Sequence, residues 1–127
     1  MNRPITPAEL APPAAAYSLA IHTESATRWL HTSGIVPTRP DGTIADDIAG
    51  QASTVWTSIA ALLREADMAV TDVVSLTTYV VAGHDLSVVM AARDAAMAGH
   101  EPASTLVVVP ALAQPAWKME IAVVAAR

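Results

Sequence analysis

The sequence predicts an α+β domain, β-β-α-β-α-β-β, in which two helices cover one face of a single sheet of about five strands. Stretches with helical apolar spacing alternate with stretches rich in β-branched residues. A length of 127 residues suits one domain, 1–127, and 53% hydrophobic against 15% charged residues excludes disorder. Because so apolar a chain must also cover the other face of its sheet, we expect it to form oligomers.

The N-terminal part of the chain is predicted to be an arm followed by two strands. Residues 1–14 hold four of the nine prolines, which is typical of an extended arm on the surface. Ala15–His22 and Thr27–Ser33 have the composition of strands. The short polar break between them predicts a β-hairpin.

The first helix is predicted to begin at Asp46 and Asp47 and to continue to about Ala66. Carboxylates suit the positive N-terminal end of a helix. Apolar residues then recur at helical spacing, which predicts one buried stripe that includes Ile48, Val55, Ile59 and Leu62.

The second half of the chain is predicted to hold three strands and one helix. Asp72–Val81 is rich in β-branched residues and predicts a strand. Asp85 opens the second helix, and Gly99 ends it. The strands Glu101–Val109 and Trp117–Ala125 complete the predicted order.

Composition excludes several classes of function. The net charge of -5, without a basic stripe, argues against a nucleic-acid partner. The absence of Cys excludes a disulfide framework, a thiolate nucleophile and a Cys-ligated zinc. No apolar run is long enough to cross a bilayer, and the proline-rich start is unlike a signal peptide, so we expect a cytoplasmic protein without a membrane partner. None of the four His has metal-ligand spacing, so no metal site is predicted.

A set of short segments, in one order and spacing over almost the whole chain, resembles the RidA/YjgF family, also called the Rid or L-PSP family. These segments are Ala16–Ser18, His31–Pro37, Asp47–Ile48, Gln51, Thr77–Val80, Glu101–Ser104 and Met119–Ile121. The resemblance implies a chorismate-mutase-like fold and a homotrimer with three ligand sites in the clefts between subunits. It also implies hydrolysis of 2-imino or 2-enamino acids to 2-oxo acids and ammonia, without a cofactor.

Residues of this chain can be matched to the family's site. Tyr17 matches a position at the mouth of the cleft, and Ser33 with Gly34 offers hydroxyl and backbone donors for a ligand oxygen. Strand alternation places Ser104 with Leu106, and it places Glu120 with Ala122. If the family's geometry holds, Ser104 and Ala122 line one pocket. These are the predicted substrate-binding residues, and Glu120 is the predicted catalytic one.

The chain departs from the family's pattern at four polar positions. Ser104 stands where the family has an arginine that binds the substrate carboxylate, and Ala122 stands where it has a second, water-positioning glutamate. Met90 and Leu106 replace an asparagine and a cysteine. Each change is towards a smaller or less polar side chain, so the resemblance implies a divergent branch of the family.

The missing arginine leaves two alternatives. A buried carboxylate needs a fixed cation, and the loss of such a contact costs roughly 1.5–3 kcal/mol, which one serine hydroxyl does not offset. Either another cation reaches the pocket or the ligand is not an imino acid. The candidate cations are Lys118, Arg28, Arg39 and Arg93. The sequence therefore predicts a protein that is not a standard 2-iminoacid deaminase.

Three functions remain open from sequence. The first is a hydrolase or deaminase of a small imine, enamine or amide. Glu120 lies about 6.5–7 Å along the strand from the missing glutamate, too far to place the same water, so it takes part if the ligand is longer. Otherwise Glu120 is a structural partner for Lys118 or for the centre of the trimer. The second is a trimer that binds or senses a small metabolite without catalysis. The third, least favoured by the acidic composition, is a ribonuclease or translation inhibitor. A nucleophilic Ser104–His pair is disfavoured because no glycine-flanked elbow surrounds Ser104.

Overall fold

Six strands and two α-helices make up the computed structural model, which describes residues 1–127. In chain order they are β1 (Asn2–Ile5), β2 (Ala20–Thr23), β3 (Trp29–His31), α1 (Ile48–Glu65), β4 (Val73–Val81), α2 (Leu86–Met97), β5 (Ala103–Val109) and β6 (Met119–Ala126). A single 3-10 turn, Val70–Asp72, precedes β4. The predicted α+β class is confirmed, and the arm contributes one strand that the sequence did not predict.

The main sheet has four strands in the order β3-β6-β4-β5. β6 is antiparallel to both of its neighbours, whereas β4 and β5 are parallel. The parallel pair is possible because α2 carries the chain back across the sheet between the two strands. β5 therefore forms one edge of the sheet, and Val107 and Val108 on this edge strand are 38% and 50% exposed.

The N-terminal arm supplies β1, which pairs with β2 in a separate two-stranded sheet. Pro4 lies opposite Ile21 there, in an edge strand of the kind that tolerates proline. The hairpin expected between the second and third strands is wrong. β2 pairs with the arm, and β3 pairs with β6 instead, with Trp29 opposite Ala126.

Both helices pack on the same face of the main sheet, and the core lies between them. The side chain of Asp47 accepts a hydrogen bond from Gly50 N at 3.1 Å and so begins α1. The buried stripe of α1 comprises Gln51, Ala52, Val55, Trp56, Ile59 and Leu63. α2 ends at Met97, before Gly99, because Ala98 already adopts the left-handed conformation with a φ of 52°.

The opposite face of the main sheet has no helix on it. Its side chains are half-buried and include Thr77, Tyr79, Glu120 and Ala122. Neither helix is long and apolar enough to cross a membrane. The sheet therefore presents one face packed against helices and one open face.

Asp85 makes the start of α2 sensitive to acid. The hydroxyl and the backbone N–H of Ser87 donate hydrogen bonds to Asp85 and lower the pKa of its carboxyl from the usual 3.8. Because this pKa is lowered in the folded state, the stabilisation by the charged cap is complete above pH 3.8 and is lost as the pH falls through the lowered pKa. We expect Asp85→Asn, which keeps a capping oxygen, to reduce stability at neutral pH by an amount that shrinks in acid. Urea unfolding of both proteins across this range measures the difference, and a difference independent of pH would contradict the assignment.

Candidate functional site

A cavity of about 330 Å³ lies between the N-terminal arm, α2 and the edge strand β5. It is lined by Ala14, Ala15, Tyr17, Leu86, Met90, Arg93, Ser104 and Leu106. Its volume is in the range of sites for small ligands, and most of its lining is apolar with a few polar groups, as such sites usually are. Three of the predicted substrate-binding residues, Tyr17, Ser104 and Leu106, therefore meet in one cavity.

The register of β5 against β4 explains why Ser104 and Leu106 reach this cavity. Ser104 lies opposite Leu76, and Leu106 lies opposite Thr78. Leu76 belongs to the core beneath the helices. Because paired residues of neighbouring strands point to the same face, Ser104 and Leu106 also point to the helix face, towards α2.

Arg93 brings a positive charge to the cavity from the middle of α2. The residue is only 6% exposed. Its Nη1 donates a hydrogen bond to Oγ of Ser104 at 3.3 Å, and its Nε donates one to Oδ1 of Asp94 at 3.0 Å. Its Nη2 also lies 3.0 Å from Oδ1 of Asp94, an ion-pair distance, but forms no hydrogen bond with good geometry. One of the four candidate cations thus lies against the serine that replaces the family's arginine.

The other three candidate cations have partners away from this cavity. Lys118 donates to the backbone oxygen of Asp46 near the start of α1. Arg28 donates to the backbone oxygen of Asp67 at 2.7 Å, and Arg39 contacts the hydroxyl of Thr43 at 3.2 Å. Of the four candidate cations, Arg93 is therefore the one that lines this cavity.

A second group of predicted residues lies on the open face of the sheet. The carboxylate of Glu120 packs directly over Gly34, where an added Cβ would lie 2.6 Å from Cδ of Glu120. The backbone of Ile35 exchanges hydrogen bonds with Ile121 and so holds this loop beside β6. The backbone N–H groups of Ser33 and Gly34 have no acceptor within the chain. One carboxylate and two free backbone N–H donors therefore lie together on the open face. We call this group, Glu120 with Ser33 and Gly34, the Glu120 wall.

The two groups of residues do not meet within one chain. Thr77 lies opposite Thr105 on one side and opposite Ala122 on the other. Ala122 and Glu120 thus share the open face with Thr105, whereas Ser104 points to the helix face. Ser104 and Ala122 therefore do not line one pocket of a single chain.

Two of the four histidines, His31 and His100, make contacts away from the cavity. His100 contacts the backbone oxygen of Val73 at 2.7 Å, and His31 stacks on Trp29 with ring centroids 6.2 Å apart. The hydroxyl of Ser104 has Arg93 as its hydrogen-bond partner, so it makes no nucleophilic pair with a histidine. No cluster of three His, Asp or Glu side chains could hold a metal ion.

A larger groove, of about 470 Å³, runs between α1 and α2. Its lining is mostly apolar and includes Trp56, Ile59 and Met97, without a charged side chain. It therefore lacks the groups that would orient a polar ligand, and the smaller cavity beside Arg93 is the better candidate site.

The comparison with known families agrees with this fold. The family model described as Endoribonuclease L-PSP matches residues 8–127. The chain therefore belongs to the L-PSP family, the RidA/YjgF family of the resemblance above. A search of the curated proteins finds no match.

Solved structures of the same family share the fold over nearly the whole chain. A protein of unknown function of the conserved Rid family, YyfB from Yersinia pestis, is 31% identical with a TM-score of 0.88, and the match covers 99% of this chain and 98% of that one. The YjgF gene product of E. coli is 29% identical with a TM-score of 0.72, over 92% and 93%. E. coli TdcF, solved with bound serine, is 22% identical with a TM-score of 0.73, over 98% of each chain, and supports the fold alone.

Proposed function

We propose that the protein is a cofactor-free hydrolase that releases ammonia from a small imine, enamine or amide in clefts between the subunits of a homotrimer. The observation that carries this proposal is the cavity that brings together Tyr17, Ser104 and Leu106. The Glu120 wall lies on the opposite face of the same sheet, so a small ligand can touch both walls only if a second copy supplies one of them. The exposed edge strand β5 and the open face of the sheet offer the surfaces for that contact.

The two walls of the proposed cleft, which are the Glu120 wall and the cavity lined by Ser104 and Leu106, have different roles. For an imine, the oxygen of water bonds to the carbon of the C=N group while Glu120 takes a proton from the water. The π electron pair moves to nitrogen, which takes that proton back from Glu120, and a carbinolamine forms. Glu120 then takes the hydroxyl proton and passes it to the amine nitrogen, so that the C–N bond breaks, a C=O group forms and ammonia leaves. The N–H groups of Ser33 and Gly34 are donors for a ligand oxygen in this cleft. This hydrolysis consumes only water and needs no oxidant, reductant or metal.

The experiment that tests the proposal combines two inactive chains. Leu106→Trp fills the cavity, and Glu120→Gln removes the base, so each variant alone is expected to lose release of ammonia from imines generated in situ. Co-expression of the two chains should restore activity, because some clefts then combine two unmodified walls. Co-expression of Leu106→Trp with the double variant is the matched control and should restore none.

Two results would contradict the proposal. Failure of the mixed chains to recover activity would show that the walls do not meet between subunits. A monomer in sizing experiments on the wild-type protein would remove the cleft itself. Ligand binding without turnover of any imine, enamine or amide would instead favour the second function, a non-enzymatic small-ligand trimer.

The ribonuclease named in the family description has no supporting observation in this chain. The net charge of -5 repels a polyanion, and the candidate cavity contains one cation that is already paired with Asp94.

A further inference from the structure

The guanidinium of Arg93 is a buried cation beside a cavity, and it has donors to spare. We infer that Arg93 is the ligand-binding cation of this chain and that it selects a small monocarboxylate; the inference rests on the site proposed above. The family resemblance places the carboxylate-binding arginine on the strand, at the position of Ser104. Here the charge comes from the opposite wall, from α2.

Burial is the first reason to expect an anionic ligand. A guanidinium withdrawn from water needs hydrogen bonds for its N–H groups, or the desolvation is not repaid. Within the chain Nε donates to Asp94 and Nη1 donates to Ser104, but Nη2 forms no hydrogen bond. Nη2 is buried 3.0 Å from Oδ1 of Asp94, whereas Nη1 contacts Ser104 in the cavity wall and has a second N–H that is suited to a carboxylate oxygen of a ligand.

The side chain of Arg93 lines the cavity beside both of its partners, Asp94 and Ser104. Oδ1 of Asp94 lies 3.0 Å from both Nε and Nη2, so it occupies one edge of the guanidinium, and the side chain of Asp94 is 46% exposed. Oγ of Ser104, at 3.3 Å, fixes Nη1 at the cavity wall. A short side chain at position 104 is what allows this, because an arginine there would set a second cation against the first.

The remaining lining defines the class of carboxylate. Five of the eight lining residues are apolar aliphatic side chains or methionine, namely Ala14, Ala15, Leu86, Met90 and Leu106. One cation that already shares its charge with Asp94 cannot neutralise a dianion such as phosphate. A volume of about 330 Å³ is at the low end for ligand pockets and favours a small ligand. The chemistry that fits is a monocarboxylate with a short apolar side chain.

The test compares an acid with its neutral isostere on the full-length protein. Calorimetric titration with butanoate and with butanamide is expected to show at least about tenfold tighter binding of the acid by the wild type, because a charge-assisted pair is lost with the amide. Arg93→Met should abolish this preference. Arg64→Met, which removes an exposed charge from α1, is the matched control and should leave both affinities unchanged.

Two further variants keep the test decisive if Arg93→Met does not fold. Arg93→Lys keeps the charge but loses the planar pair of donors, so the preference for the acid should fall between those of the wild type and the Met variant. Asp94→Asn frees the guanidinium from its competing carboxylate, and butanoate should then bind severalfold tighter with butanamide unchanged. A purely structural Arg93–Asp94 pair would give no such gain.

The outcomes separate this inference from the proposed function. Equal binding of acid and amide by the wild type, together with retained imine hydrolysis, would overturn the role of Arg93 and leave the cleft in place. Tighter binding of inorganic phosphate than of butanoate would overturn the ligand class. Absence of binding by either probe, together with absent hydrolysis, would overturn both proposals.

Discussion

Glu120→Gln is expected to slow imine hydrolysis by roughly a hundredfold or more without unfolding the protein, because general base catalysis contributes at least that factor. The amide has nearly the same shape as the carboxylate over Gly34, so packing is retained, but it cannot accept a proton from water. Rates of ammonia release at saturating substrate measure the effect, and circular dichroism checks the fold. A variant with more than half the wild-type rate would exclude Glu120 as the base.

Gly34 provides an independent test of the same carboxylate. In Gly34→Ala the new Cβ would lie 2.6 Å from Cδ of Glu120, so the carboxylate must move while its charge is kept. We expect a loss of activity close to that of Glu120→Gln. If Gly34→Ala acts by displacing the carboxylate of Glu120, adding it to Glu120→Gln should lower activity little further. The effects of two residues that act as a unit do not add.

Gln51→Leu is expected to lower the free energy of unfolding by about 3 kcal/mol, a large share of the roughly 5–15 kcal/mol that a domain possesses. Gln51 is 1% exposed and connects three segments. Its Nε2 donates to the backbone oxygens of Ala45 and Ala116, both at 2.9 Å, and its Oε1 accepts from the N–H of Lys118 at 2.8 Å. Leucine fills the space but leaves all three backbone groups without a partner in the protein.

Chemical denaturation of Gln51→Leu beside Ser53→Ala measures this loss. Ser53 lies in the same helix but is exposed, so its replacement should change stability by no more than about 0.5 kcal/mol. If both variants unfold at the same denaturant concentration, the hydrogen bonds of Gln51 between α1 and the segment before β6 contribute nothing to stability.

The elements with strong periodicity were predictable from sequence, and the pairing of weaker ones was not. α1 and β4 follow directly from the spacing of their apolar residues, and their observed ends lie within a few positions of those expected. β1 was missed because Pro4 and its neighbouring prolines mask a short strand that exists only through its partner β2. The hairpin was wrongly expected because the short break after β2 says nothing about where β3 finds its partner.

The candidate site, too, could be predicted from the sequence only in part. Alternation along each strand correctly groups Ser104 with Leu106 and Glu120 with Ala122. Whether the two groups share a face depends on the register of β5 and β6 against β4, which no single strand encodes. Arg93 appeared among four candidate cations, but its selection required the packing of α2 on β5.

The placement of the two walls on opposite faces of one sheet has a consequence for how such a protein diverges. Arg93 reaches Ser104 from α2 on the helix face, whereas Glu120 and Gly34 pack against each other on the open face. Under the proposed function, an exchange of the binding cation between strand and helix would therefore leave the carboxylate of Glu120 undisturbed. If ligand binding and catalysis are divided in this way, substitutions on the helix face alone would change the substrate.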